Sequence, residues 1–147
     1  MIAFLAGRVA SIAPGSALVD VGGVGYRVFM SSRSLAELPA VGEEALVHTH
    51  LHMRDAEMTL YGFTAIEERQ AFESLLGVSG VGPKVALAVL SSLSADALHG
   101  AVESGDVALL SSVPGVGRKT AQRIVVDLAG RLGAPDVGVG DAAGVAV

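Results

Sequence analysis

The sequence predicts an α+β protein, with a five-stranded β-barrel in residues 1–63, an all-α domain in residues 64–133 and a flexible linker in residues 134–147. Three observations lead to this division. The first segment contains short apolar runs separated by turn residues. The second contains apolar residues at helical spacing and an internal repeat, and the third is rich in Gly and Ala without periodicity. A chain of 147 residues suffices for two small domains, each with its own core.

Five apolar runs in the first segment, rich in Val and aromatic residues, are expected to form strands: residues 2–13, 17–21, 25–30, 45–53 and 58–63. Turn signals stand between them, namely Pro14-Gly15, Gly22-Gly23, Pro39 with Gly42, and residues 54–57. An open sheet this short would leave unpaired edges, so a closed or nearly closed barrel is favoured. Among small barrels, an OB-like barrel is the leading interpretation.

The chain changes to helical spacing at residue 64. Thr64 followed by Glu67 matches a capping box, which predicts that a helix begins there. Ser94 and Asp106 have side chains that commonly cap helices, so two further short helices are expected to follow them.

Composition and charge exclude several classes of protein. The absence of cysteine excludes disulfides, thiolate nucleophiles and cysteine zinc sites. The longest stretch without a charged residue is 11 residues, too short to span a bilayer, and the N-terminus lacks the basic start of a signal peptide. A cytoplasmic protein without a membrane partner is therefore expected. The net charge of −5 argues against nucleic acid as a partner, but three bases within residues 118–123 can form a local phosphate-binding patch.

One segment of the helical domain is repeated. Residues 75–86 return 35 residues later as residues 110–121, with matching Leu, Val, Gly, Val, Gly, Lys and Ala. Each copy is predicted to form a helix, a Gly-Val-Gly hairpin and a second helix. Glycine lets the hairpin turn sharply and lets its backbone N–H groups approach a phosphate, while the next helix directs its positive end at the same anion. Val81 and Val116 are expected to anchor the hairpins in the core.

The repeat resembles the helix-hairpin-helix motif, which grips the sugar-phosphate backbone without reading bases. Lys84 and Lys119 stand two residues after the second Gly of each hairpin, and Arg123 follows Lys119 by one helical turn on the same face. The candidate DNA-binding residues are therefore Gly80, Gly82, Lys84, Gly115, Gly117, Arg118, Lys119 and Arg123.

A Walker A loop is nearly matched at residues 77–84, but nucleotide hydrolysis is not expected. Pro83 separates Gly82 from Lys84, and Val85 stands where the loop needs a hydroxyl group for magnesium. The sequence predicts no catalytic residue and no cofactor.

Three histidines, His48, His50 and His52, alternate along one predicted strand and so point to one face. Such spacing can chelate zinc, but no acidic or thiol ligand on the strand completes the set. A polar barrel or interface face is favoured, and no metal is predicted.

An acidic turn is expected between the last two strands. Asp55 and Glu57 there place two carboxylates on a projecting hairpin. On a protein that binds phosphate elsewhere, such a pair repels the DNA backbone and can separate strands that enter a shared centre.

The barrel, the acidic hairpin and the tandem motifs together resemble the RuvA family of Holliday-junction-binding subunits. The resemblance covers residues 1 to about 133, with specific motifs at residues 21–26, 60–63, 80–84 and 114–121. It implies structure-specific binding of four-way DNA junctions and scaffolding of ATP-driven branch migration in recombination, DNA repair and the SOS response. Asp55 and Glu57 then correspond to the family's acidic pin, although Ala56 separates them where the family often has adjacent acids.

The resemblance also implies partners. The chain is expected to form a homotetramer, or an octamer on DNA, and to serve as the non-catalytic DNA-binding subunit of a helicase complex. A hexameric RuvB ATPase motor is recruited in the family through a third, C-terminal domain, and a junction-resolving nuclease is a further expected partner. Residues 134–147 have no helical period, so the motor-binding domain is expected to be absent from this chain.

Two other classes of function stay open. A generic duplex- or single-strand-binding module would use the same motifs without preferring junctions. A helix-hairpin-helix repair glycosylase or lyase would use Asp127 as its catalytic acid, although six aromatic residues and no Trp make a pocket for a flipped base difficult to build.

Overall fold

The computed structural model describes residues 1–131 as five strands and six helices. The strands are β1 (Phe4–Ala13), β2 (Ser16–Val21), β3 (Val24–Met30), β4 (Glu44–Arg54) and β5 (Glu57–Phe63). The helices are α1 (Ser32–Glu37), α2 (Ile66–Leu76), α3 (Pro83–Ser92), α4 (Ala95–Ser104), α5 (Val107–Ser111) and α6 (Arg118–Leu128). All five predicted strands are confirmed to within two residues. The expected linker at residues 134–147 lies outside the described residues.

The five strands close into a barrel in the order β1-β2-β3-β5-β4, which confirms the predicted barrel. Every neighbouring pair is antiparallel except β3 and β5, which run parallel. Val19, Val28 and Val47 are fully buried inside it. Gly62 is required there, because a Cβ at this position would overlap the side chains of Val28 and Val47.

Helix α1 was not predicted. Ser31 begins it by accepting a hydrogen bond from the N–H of Ser34 through its hydroxyl group. With only six residues, the helix is too short to show helical periodicity in the sequence.

The helix starts at Ser94 and Asp106 are confirmed, since their side chains accept hydrogen bonds from the N–H groups of Ala97 and Leu109. The capping box at Thr64 is wrong. Ala65 is the N-cap of α2, and the Thr64 hydroxyl instead donates a hydrogen bond of 2.6 Å to Oε1 of Glu37. A tertiary contact with α1 therefore replaces the local cap.

The helices form a second core that includes part of the barrel. Phe63 at the end of β5 is fully buried within this helical core, where its ring lies 5.1 Å from that of Phe72 on α2. Tyr61 packs against the same ring, also at 5.1 Å. The outer face of β4 and β5 is thus covered by α2.

Within residues 1–131, no single helix has the length and apolar composition needed to cross a membrane. Helices α3 and α4 meet that test only together, as a pair bent by 97°.

Candidate nucleic-acid interface

The two sequence repeats form two hairpins with the same backbone structure. In the first, the N–H of Val78 bonds to the carbonyl of Leu75, and the N–H of Val81 bonds to the carbonyl of Val78. In the second, Val113 and Val116 make the same two bonds with the residues three positions earlier. The predicted repeat of helix, hairpin and helix is confirmed by this geometry.

Glycine is needed at the same turn position in both hairpins. Gly80 and Gly115 each have a φ of +89°, in the region that side-chain-bearing residues rarely adopt. Val81 and Val116, which follow them, are 7% and 5% exposed and belong to the helical core, as predicted. The buried valine therefore anchors each hairpin in the helical core, and the glycines of the hairpin are exposed to solvent.

The second glycine of each hairpin begins the next helix. Gly82 is the N-cap of α3 and Gly117 is the N-cap of α6, and both lie in extended backbone. Neither helix has a side chain that caps its N-terminus, in contrast to α1, α4 and α5. The first N–H groups of α3 and α6 are thus available to an anion.

The predicted basic residues lie at these helix starts. Lys84 is the second residue of α3, and Arg118 and Lys119 are the first two residues of α6. All three are exposed. The second hairpin offers one more backbone donor than the first, because Pro83 at the start of α3 has no N–H group.

The side chain of Arg123 extends toward the first hairpin, a contact that its spacing from Lys119 does not reveal. Its guanidinium lies at the first hairpin, where a Cβ built on Gly80 would come within 3.3 Å of Nη1. Sequence spacing alone placed it with Lys119, since it follows that residue by one helical turn. A side chain of the second motif therefore lies at the turn of the first.

The acidic hairpin and the first helix-hairpin-helix motif share one groove of about 640 Å³. The barrel side is lined by His52, Arg54, Asp55, Glu57, Thr59 and Tyr61, and the helical side by residues 82–85. The structure thus places the predicted carboxylates in the same groove as Gly82 and Lys84. Gly115, Gly117, Arg118 and Lys119 do not line this groove.

Asp55 and Glu57 are both exposed at the tip of the hairpin between β4 and β5. Arg54 pairs with Glu57 across the two strands, leaving Asp55 and Ala56 as the turn. Asp55 has a φ of +55°, a conformation that Asp tolerates better than most residues. The turn therefore keeps both carboxylates on the projecting end despite the intervening Ala56.

Sequence reasoning missed three residues that line the groove, Arg54, Thr59 and Tyr61. Arg54 adds a second cation opposite Lys84, and the only signal for it was its position beside the acidic turn. Tyr61 lines the groove, and its partial burial raises the pKa of the phenol above its ordinary value. The phenol therefore stays neutral at physiological pH.

The three histidines of β4 lie on the face of the strand that packs against the helical domain. This agrees with the prediction of a polar barrel or interface face. Nδ1 of His50 lies 2.8 Å from Oε2 of Glu73 on α2, and the His50 ring packs edge-on against Phe72. Burial, together with the charge of Arg69, lowers the pKa of His48 below its ordinary value. Within the described chain, no group of three or more His, Asp or Glu side chains is arranged to hold a metal ion.

Asp127, the acid that a glycosylase would need, lies on α6 and is partly buried. It is not among the residues that line the groove.

Comparison with known proteins gives matches over both parts of the chain. Residues 1–62 match the RuvA N-terminal domain, and residues 72–129 match a SAM-like helix-hairpin-helix tandem.

Similar proteins carry the name Holliday junction branch migration complex subunit RuvA. The one from Thermobifida fusca is 52% identical over 135 residues, 92% of this chain and 66% of its own length. Those from Chromobacterium violaceum and Nocardioides sp. are both 46% identical, over 90% and 99% of this chain and 67% and 72% of their own lengths. The chain thus spans about two thirds of the length of these relatives, and it belongs to the RuvA family.

Proposed function

We propose that this protein binds four-way DNA junctions by their structure and scaffolds ATP-driven branch migration in recombination and DNA repair. The observation that carries the proposal is the pair of matching hairpins, each followed by an uncapped helix start with an exposed lysine. The names of the relatives, subunits of a Holliday junction branch migration complex, support it.

The binding is directed at the DNA backbone. Backbone N–H groups at the starts of α3 and α6 have no side-chain cap and are available to a phosphate, and Lys84, Arg118 and Lys119 add positive charge beside them. Arg123 adds its charge to the first hairpin at Gly80. Contacts from these groups to phosphates carry no sequence information, so recognition is independent of sequence.

The carboxylates of Asp55 and Glu57 supply selectivity. They lie in the same groove as Lys84, so a phosphate bound at the first hairpin has negative charge beside it on the barrel side. A duplex running straight across the groove brings phosphates close to these acids, whereas a junction opens at its centre and keeps them apart. The acidic hairpin thus disfavours linear duplex more than it disfavours a junction.

The scaffold is a homotetramer, or an octamer when two tetramers enclose the DNA. Four subunits present eight hairpins to the four duplex arms and place four acidic hairpins at the centre. The subunit itself is non-catalytic, and a hexameric ATPase motor supplies the energy. A junction-resolving nuclease is a further partner, and the complex works in the cytoplasm.

A binding panel separates this function from its alternatives. The protein is titrated into labelled four-way junction, linear duplex, single strand and duplex with an abasic site, and the last is also assayed for strand cleavage. Tightest binding to the junction with no cleavage is expected. Preference for the single strand would identify a general binding module, and cleavage at the abasic site would identify a lyase.

A further inference from the structure

The end of the β4–β5 hairpin extends beyond the barrel as a two-stranded ribbon. His48 is the last residue of β4 that pairs with β1. Leu60 is the first residue of β5 that pairs with β3. The two strands continue to pair with each other as far as Arg54 and Glu57. Beyond the barrel, this ribbon therefore has two open faces.

The two faces of the ribbon differ in chemistry. His52, Arg54, Glu57 and Thr59 lie on the face that lines the groove with the first helix-hairpin-helix motif. Successive side chains of a strand alternate between faces, so Met53 and Met58 lie on the opposite one. They pair directly across the two strands, and neither lines the groove.

The methionine pair is strongly exposed. Met53 is 64% exposed and Met58 is 69% exposed. In the strand alternation they continue the row of Leu51 and Leu60, whose side chains point toward the barrel core. The apolar row thus runs past the end of the barrel and leaves two flexible thioether side chains uncovered.

The charged residues around the methionine face determine which kind of ligand can bind there. The acids at the tip, Asp55 and Glu57, repel a phosphate backbone, whereas Lys84 in the groove attracts one. A DNA strand held by its phosphates on the groove side therefore presents its uncharged bases, not its backbone, to the tip. Methionine is among the apolar side chains that wedge between base steps, because it adapts its shape to the stack.

We propose that Met53 and Met58 form an apolar wedge that contacts the bases at the open centre of a bound junction. The inference rests on the proposed function and extends it. The carboxylates keep the backbones apart, and the methionines cover the base faces that this separation exposes. The same ribbon thus performs both tasks on its two sides.

The test uses a four-way junction with 2-aminopurine, a base whose fluorescence rises when it is unstacked, next to the crossover. The full chain is added to saturation, so that differences in affinity do not affect the signal. We expect wild-type protein to raise the fluorescence. Met53→Thr with Met58→Thr should lose more than about half of that rise while binding the junction within about threefold of wild type, since the phosphate contacts remain.

Two control variants make the result specific. Met53→Leu with Met58→Leu keeps the apolar surface and should retain the fluorescence rise. Val41→Thr removes another apolar side chain, 59% exposed in the loop before β4, and should also leave the rise unchanged. All of these positions are exposed, so thermal unfolding should stay close to that of wild type.

The outcomes distinguish the wedge from the proposed function itself. A full fluorescence rise in the Thr variant, with the junction bound, overturns the wedge alone. Loss of self-association by the Thr variant in sedimentation also overturns it, because a second copy of the chain would then be what covers the methionines. If wild-type protein fails to bind the junction at all, the proposed function is overturned as well.

Discussion

Nη1 of Arg123 on α6 lies 3.3 Å from the position that a Cβ of Gly80 would occupy in the first hairpin. The Arg123 side chain, which belongs to the second repeat, thus extends to the glycine turn of the first repeat. The two motifs therefore contribute to a shared basic surface, to which Lys119 adds at the second hairpin.

Removal of this shared charge tests the surface directly. Lys119→Ala with Arg123→Ala should weaken junction binding by about tenfold or more and reduce the slope of log affinity against log salt by about 0.9 for each phosphate that is no longer neutralised. Both side chains are exposed, so the stability should change by less than about 1 kcal/mol. Fluorescence anisotropy titrations at several salt concentrations measure the affinity and its salt dependence, and urea unfolding measures the stability.

Arg8→Ala with Arg131→Ala is the matched control, since it removes two exposed positive charges outside the hairpins. If the control lowers affinity as much as the test variant, net charge and not the hairpin surface controls binding.

A substitution at Gly117 can test the role of the second hairpin in DNA binding without disturbing the fold. Its φ is −83°, and a Cβ would meet no atom within 4 Å, so a side chain fits the free protein. Gly117→Val should therefore cost at most about 1 kcal/mol of stability at this N-cap position. Binding should fall by about tenfold or more, because the new side chain blocks the approach of a phosphate to the backbone. Chemical unfolding and anisotropy measure the two effects.

Gly100→Ala provides the comparison, because Gly100 is an exposed glycine inside α4 with equally open surroundings. It should raise stability slightly and leave binding unchanged. Wild-type affinity in Gly117→Val would remove the second hairpin from the binding surface.

The carboxylates of the acidic hairpin should lower the affinity for DNA and should not contribute favourable contacts to it. Asp55→Asn with Glu57→Gln should leave junction binding unchanged or stronger and should improve duplex binding by about threefold or more, because carboxylates beside phosphates repel them. The ratio of duplex to junction affinity, measured at low salt, reports the loss of selectivity. A large fall in junction affinity would instead mean that these carboxylates make attractive contacts with the DNA.

Glu68 should make stability depend on pH. It is buried on α2, where desolvation raises the pKa of its carboxyl group, opposed by Arg33 and supported by Glu37 and Asp96. A carboxyl group with a raised pKa binds protons more tightly in the folded state, so the free energy of unfolding falls as pH rises through that pKa. Glu68→Gln removes this loss.

Urea unfolding of wild type and Glu68→Gln at several pH values checks the sign. The stability of the variant relative to wild type should increase between pH 4.5, the ordinary value of the group, and neutral pH. A difference that is constant with pH, or that decreases, would contradict it.

Local patterns predicted most of the fold. Alternating apolar strands and Gly or Pro turns located the barrel strands, and the repeat located both hairpins with their anchoring residues, Val81 and Val116. The wrong prediction of the capping box arose because a tertiary contact replaced the local hydrogen bond that the sequence pattern indicated. Thr64 matches a local cap but bonds to Glu37 on α1, a helix too short to detect in the sequence.

The sequence was sufficient to predict most residues of the candidate site, but not how these residues lie relative to one another. The spacing of glycines and bases identified the hairpin residues, and the acidic turn stood out against them. That Glu57 and Lys84 line one groove depends on how α2 covers the outer face of β4 and β5, which no local pattern records. The position of Arg123 at Gly80 likewise depends on the packing of one repeat against the other.

Competition between junction and linear DNA tests the central claim most directly. A labelled four-way junction is bound by the protein and displaced by unlabelled junctions with different arm sequences, or by linear duplex of equal length. All junctions should compete equally, and linear duplex should require an excess of about tenfold or more, because it engages fewer hairpins at once. Equal competition by linear duplex, or strong dependence on arm sequence, would contradict structure-specific binding through the DNA backbone.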